Sequence, residues 1–120
     1  MSPFDFRVQA HNGDPLPLVE AEFIFSAYGQ SSAHVDHRGI HCAHESILQL
    51  VSATNAIELE VINGTPAIIT ALSLDANGWQ SHPRNVPSSP GSQRVTFNVA
   101  SIQRVALKSE SGELFLQTLR

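Results

Sequence analysis

Along most of the chain, apolar and polar residues alternate one for one. In residues 4–10, Phe4, Phe6, Val8 and Ala10 are interleaved with Asp5, Arg7 and Gln9. Successive side chains of a strand point to opposite faces, so this predicts a half-buried first strand. Residues 19–26 repeat the pattern, with Val19, Ala21, Phe23 and Phe25 inward and Glu20 and Glu22 outward. Residues 56–62 do so through Ile57, Leu59 and Val61 against Glu58 and Glu60, and residues 93–99 through Val95, Phe97 and Val99. Residues 67–74 carry apolar side chains on both faces and read as the most buried strand. Residues 102–108 and 113–119 read as a final hairpin around Ser109-Glu110-Ser111-Gly112. The run Ile47, Leu48, Leu50, Val51 has no clear period and admits a helical turn.

Turn formers punctuate these segments: His11-Asn12-Gly13-Asp14-Pro15, Asn63-Gly64-Thr65-Pro66 and Asp75-Ala76-Asn77-Gly78. Pro17 makes Leu16-Pro17-Leu18 an edge or arch segment, because proline cannot donate to a central ladder. Residues 83–92, rich in proline and serine, read as a long loop. Short strands at spacings of roughly ten to fifteen residues predict an all-β fold. The expected architecture is an antiparallel β-sandwich (Greek-key, prealbumin-like or jelly-roll) of seven to nine strands, with little helix, as a single domain over residues 1–120.

Chemistry concentrates in residues 33–46, which hold four of the six histidines and the lone cysteine. A turn at His37-Arg38-Gly39 sends Val35, Ile40 and Cys42 to one side and His34, Asp36 and His41 to the other. No resident cofactor is expected, yet His34, Asp36 and His41, with His44 beyond the second strand, could converge on zinc, nickel or copper. Histidines simply solvated in a turn satisfy the same pattern. Cys42, on the inward face, reads as a small hydrophobe.

Eleven acidic against seven basic residues, with Lys108 the only lysine, leave no basic surface for nucleic acid or anionic membrane lipid. One cysteine excludes an intrachain disulfide. Residues 1–7 lack the basic and apolar regions of a signal peptide, so the expected location is the cytoplasm, or export by a dedicated machine. No Gly-x-Ser-x-Gly elbow occurs, and the alternating glutamates read as a solvated face; no enzyme activity is expected. Tyr28, Trp79 and His82 are candidates for a sugar-stacking or protein-contact surface. Asn63-Gly64-Thr65 satisfies the glycosylation pattern, which has meaning only in a secretory compartment. Leu114, Phe115 and Leu116 put apolar groups on both faces of the last strand. With lysine protection of edges nearly missing, the segment 102–119 is the expected contact for self-association or a protein partner.

Gly13-Asp14-Pro15-Leu16, followed by Val35-Asp36-His37-Arg38-Gly39, resembles the paired turns of transthyretin-like or carboxypeptidase-regulatory-like sandwich domains over residues 6–62. The resemblance to hydroxyisourate hydrolases within that superfamily fails at the carboxyl terminus, where Leu116-Gln117-Thr118-Leu119-Arg120 stands in place of Tyr-Arg-Gly-Ser. The resemblance therefore implies a non-catalytic binding or assembly module, of the kind attached to secretion spikes, phage tails or surface proteins. The second half, with Trp79 and Val95-Thr96-Phe97-Asn98-Val99, loosely resembles a carbohydrate-binding jelly roll. A glycan ligand is accordingly the third reading, beside a protein partner and a divalent metal.

Overall fold

The computed structural model describes residues 2–120. The chain opens with β1 (Phe4–Asp5), a single helical turn α1 (Phe6–Gln9) and the edge strand β2 (Leu18–Val19). There follow β3 (Phe23–Ala27), the hairpin β4 (Val35–Asp36) and β5 (Gly39–His41), and the long β6 (Glu45–Thr54). The rest comprises β7 (Ile57–Asn63), β8 (Ala67–Asp75), β9 (Gly78–Val86), β10 (Ser89–Phe97), β11 (Ile102–Ser109) and β12 (Leu114–Leu119). One sheet runs β10-β7-β12-β5-β4, with β1 added to β12; the other runs β2-β3-β6-β11-β8-β9. All named pairs are antiparallel, so the fold is an antiparallel β-sandwich.

The inward-facing alternates of both sheets form the core: Phe23 and Phe25 of β3, Leu48 and Leu50 of β6, Ile69 and Ala71 of β8 and Val105 and Leu107 of β11 from one side. Ile57, Leu59 and Val61 of β7, Val95 and Phe97 of β10 and Leu114 and Leu116 of β12 meet them from the other. Burying each of these side chains larger than alanine is worth about 1.5–3 kcal/mol, which is why alternation decides the face each strand presents. Among the described residues no helix is long and apolar enough to cross a membrane.

Several segments depart from the expected pattern for identifiable reasons. Residues 4–10 are not one strand. Asp5 accepts from the Arg7 backbone N–H at 2.9 Å and caps α1, which turns Phe6 into the core and leaves Val8 70% exposed. Phe6 then stacks within a ring cluster, 4.8 Å from Phe4 and 5.5 Å from Phe23 between centroids. Val19 is exposed on the short edge strand β2 rather than inward, and the ambiguous run at 47–51 belongs to β6. The Pro/Ser-rich segment is not a loop but the end of β9 and the start of β10. Both strands lie at sheet edges, where Pro83 and Pro90 cost no internal ladder bond.

The most buried strand is β12, all six of whose residues are buried, while β8 alternates and exposes Ile68. Nor do residues 102–119 form a hairpin: β11 sits between β6 and β8 in one sheet, and β12 between β7 and β5 in the other. The intervening turn is an arch joining the two sheets.

Candidate functional site

The outer face of the β2-β3-β6-β11-β8-β9 sheet carries the distinctive surface. On β9, Val86 is buried and marks the inward parity, so Trp79, Ser81, Pro83 and Asn85 point outward. On β11 the buried Val105 and Leu107 fix the opposite parity for Arg104, Ala106 and Lys108. The register then sets Ile24, Gln49, Arg104, Leu72 and Ser81 side by side across five strands. From that row the Arg104 guanidinium reaches Trp79, which pairs with Leu74 in the next row, at 4.9 Å from the ring centre, and its Nε donates to Gln49 Oε1 at 2.5 Å. Gln49 Nε2 is tied in turn to the carbonyls of Leu50 and Gln103. An indole, a guanidinium and an amide are therefore held in contact in turn on the outer sheet face, with Trp79 47% exposed.

Of the other candidates on this side, Tyr28 is exposed at the end of β3, but β6, β11 and β8 separate it from β9, and it shares no platform with Trp79. His82 has inward parity, and its Nε2 lies 2.9 Å from Oγ of the buried Ser73. It serves as an inter-strand hydrogen-bonding group within one sheet, on the inward side, rather than as part of the aromatic surface. Arg104 and Gln49 escape the sequence reading because their adjacency depends on β11 lying between β6 and β8.

The histidine hairpin forms where expected, on the other sheet, but its ligands do not converge. Asp36 accepts from the Arg38 Nη2 at 2.7 Å, the Arg38 Nε at 3.2 Å and the Arg38 backbone N–H at 2.8 Å. That bidentate pairing holds its carboxyl at about 2, against an ordinary 3.8. The Gly112 carbonyl can only accept, so His41 Nε2 carries the proton that binds it. His41 Nδ1 is then left to accept from Gln30 Nε2 at 2.8 Å, and both ring nitrogens are engaged. His34 stands exposed, 3.6 Å from Asp36, and His44 lies away from all three, lining a hollow beside β8 and β9. Among the described residues no group of three or more His, Cys, Asp or Glu could hold a metal ion.

What the hairpin does is cover β12. Arg38 stacks 4.0 Å over the Phe115 ring, and His41 and His34 flank it at 5.1 Å and 6.5 Å between centroids. Phe115 is 6% exposed, and Leu114 and Leu116 are fully buried, so these three residues belong to the chain's own packing and offer no exposed interface. Cys42 is buried, and the loss of hydration pushes its thiol up to about 12. The Asn63 amide donates to the carbonyls of Thr65, Val86 and Pro87 and is fully buried, so a glycan at Asn63 is incompatible with this fold. The outward glutamates are taken up structurally: Glu58 pairs with Arg94 at 3.3 Å, and Glu60 accepts from Thr118 at 3.0 Å.

No family model and no curated protein matches the sequence. The fold is similar to solved carbohydrate-binding modules. A family 29 module from Piromyces equi superposes with a TM-score of 0.60 at 10% identity, covering 98% of this chain and 88% of that one. Two single-substitution variants of a second family 29 module give TM-scores of 0.51 and 0.50, at 11% and 10% identity. These variants cover 98% of this chain and 88% and 89% of their own. At such identities the likeness is one of fold. It lies with carbohydrate-binding sandwiches rather than with the transthyretin-like domains that the two turn motifs resemble.

Proposed function

We propose that the domain is a non-catalytic carbohydrate-binding module and that its glycan lies against Trp79 on the outer sheet face. The carrying observation is the exposed indole with Arg104 beside it and Gln49 behind. A pyranose ring presents C–H groups on its faces and hydroxyls around its rim. The C–H face complements the negative face of an aromatic ring, and the guanidinium and amide supply hydrogen-bonding partners for the rim. Holding Arg104 between Trp79 and Gln49 lowers the ordering cost that a free arginine would incur on binding. A site exposed on an outer sheet face suits retention of a polymer more than chemistry on it, which calls for a water-excluded cleft. The likeness of the sandwich to carbohydrate-binding modules supports this reading.

Affinity electrophoresis through gels containing hydroxyethylcellulose, xylan, galactomannan or glycogen tests it. The wild-type chain is expected to be retarded by at least one polysaccharide. Trp79→Ala should weaken that retardation by about tenfold or more, as removal of an aromatic anchor does. Unaltered mobility of the wild type in every gel contradicts the proposal.

A further inference from the structure

A hollow of about 790 Å³ opens on the same sheet face, at the open end of the β8–β9 hairpin. The register places Lys108, Ile68 and Asn85 side by side at its mouth, with Pro66, Val86 and Pro87 among the residues that line it. Its size falls within the range of small-molecule sites. Asn85 is six residues beyond Trp79 on β9 and has the same parity, so the hollow lies ~20 Å from the indole along the strand. Between the two, the outward side chains are Ser81 and Pro83 of β9, Thr70 and Leu72 of β8 and Arg104 and Ala106 of β11. Those of β8 and β9 are short and uncharged, so the path runs along these two strands with Arg104, already part of the Trp79 site, at its side.

The lining also selects a chemical class. Pro66, Ile68, Val86 and Pro87 supply an apolar floor, while His44, Lys108, Glu110 and Asn85 supply the polar groups. Lys108 is balanced by Glu110 and by Glu45, 3.9 Å from its Nζ, so the hollow offers no net attraction for an anion. A mixed set of donors and acceptors around an apolar floor matches a ring whose hydroxyls both donate and accept.

We infer that the hollow is a second subsite for the same glycan, so that the ligand is an extended neutral oligosaccharide running along β8 and β9 from Trp79 to Lys108. This rests on the carbohydrate-binding reading and adds chain length and charge to it. A ligand spanning both places gains contacts that a short one cannot make, so affinity must rise with length.

Isothermal titration with cello-, xylo-, manno- and malto-oligosaccharides of two and six rings, and with hexagalacturonate, tests it. For the preferred series the hexasaccharide should bind at least about tenfold more tightly than the disaccharide. Ile68→Arg, at a half-exposed position, fills the hollow and should bring that ratio towards one; Lys108→Ala, a milder change, should reduce it. Trp79→Ala should weaken both lengths. Equal wild-type affinity for two and six rings, or a ratio that Ile68→Arg leaves intact, overturns the second subsite while the Trp79 site stands. Preference for hexagalacturonate overturns the neutral class, and binding of no oligosaccharide at either length overturns the carbohydrate reading itself.

Discussion

Three carbonyl oxygens, from Thr65, Val86 and Pro87, converge on the side-chain amide of Asn63, whose own oxygen accepts from Gln93 Nε2 at 2.9 Å. The residue ties the β7–β8 turn to the end of β9, and Asn63→Ala removes its donor from the Thr65 and Val86 carbonyls and its acceptor from Gln93, while Pro87 keeps the Gln93 amide at 2.7 Å. A loss of about 2–4 kcal/mol is expected in urea unfolding, since orphaned buried polar groups each cost about 1–3 kcal/mol. Because the amide is consumed internally, the natively folded fraction from a secretory host should carry no glycan mass at Asn63. Gly39 is equally constrained: it closes the β4–β5 turn at φ +113°, and a Cβ there would overlap the Leu116 carbonyl.

Asp36 gives a pH dependence of known sign. Its carboxyl is depressed in the folded state, so the pair with Arg38 stabilises above the unfolded value of 3.8 and is lost as pH falls through about 2. The melting temperature should therefore drop between about pH 4 and pH 2 by more in the wild type than in Asp36→Asn. The difference should correspond to under about 1 kcal/mol, because Arg38 is partly exposed and the pair is screened.

At the scale of elements, the β4–β5 hairpin and β12 explain each other. An isolated reading of Leu114-Phe115-Leu116 finds apolar groups on both faces and no place to bury one of them. The structure resolves this by laying Arg38 and two histidines over Phe115. Phe115→Ala should accordingly destabilise the fold by about 3 kcal/mol, as a buried phenylalanine does, with the midpoint of urea denaturation as the readout. The hydrodynamic size of the folded fraction should stay unchanged.

Alternation made β3, β7 and β10 legible, because one face of each meets the core and the other meets water. It failed at Phe6 and Val8, which share a parity but are turned to opposite surroundings by the Asp5-capped helical turn. It failed again at Pro83 and Pro90, because only position at a sheet edge makes proline harmless, and edge position is a property of the whole sheet. The histidine hairpin was placed correctly as a turn. Its partners, Gln30, Gly112 and Phe115, come from segments that local spacing cannot bring together.

For the molecule as a whole, the two sheet faces have different fates. The outer face of the β12 sheet is partly covered by the hairpin, whereas the outer face of the β8–β9 sheet carries an indole, a guanidinium and a hollow. Trp79 was visible as a candidate because tryptophan is rare and amphipathic. Arg104 and Gln49 were not, because strands far apart in sequence must pair before the three become neighbours. That the chain has a single tryptophan makes the central claim directly measurable, since all indole emission reports on the proposed site. The decisive measurement is a fluorescence titration with the hexasaccharide of whichever polysaccharide retards the protein. The account predicts a saturable blue shift of Trp79 emission as the sugar displaces water from the exposed ring, with the same dissociation constant as the calorimetric titration. Saturable binding of that hexasaccharide by calorimetry with Trp79 emission unchanged would place the ligand elsewhere and contradict it.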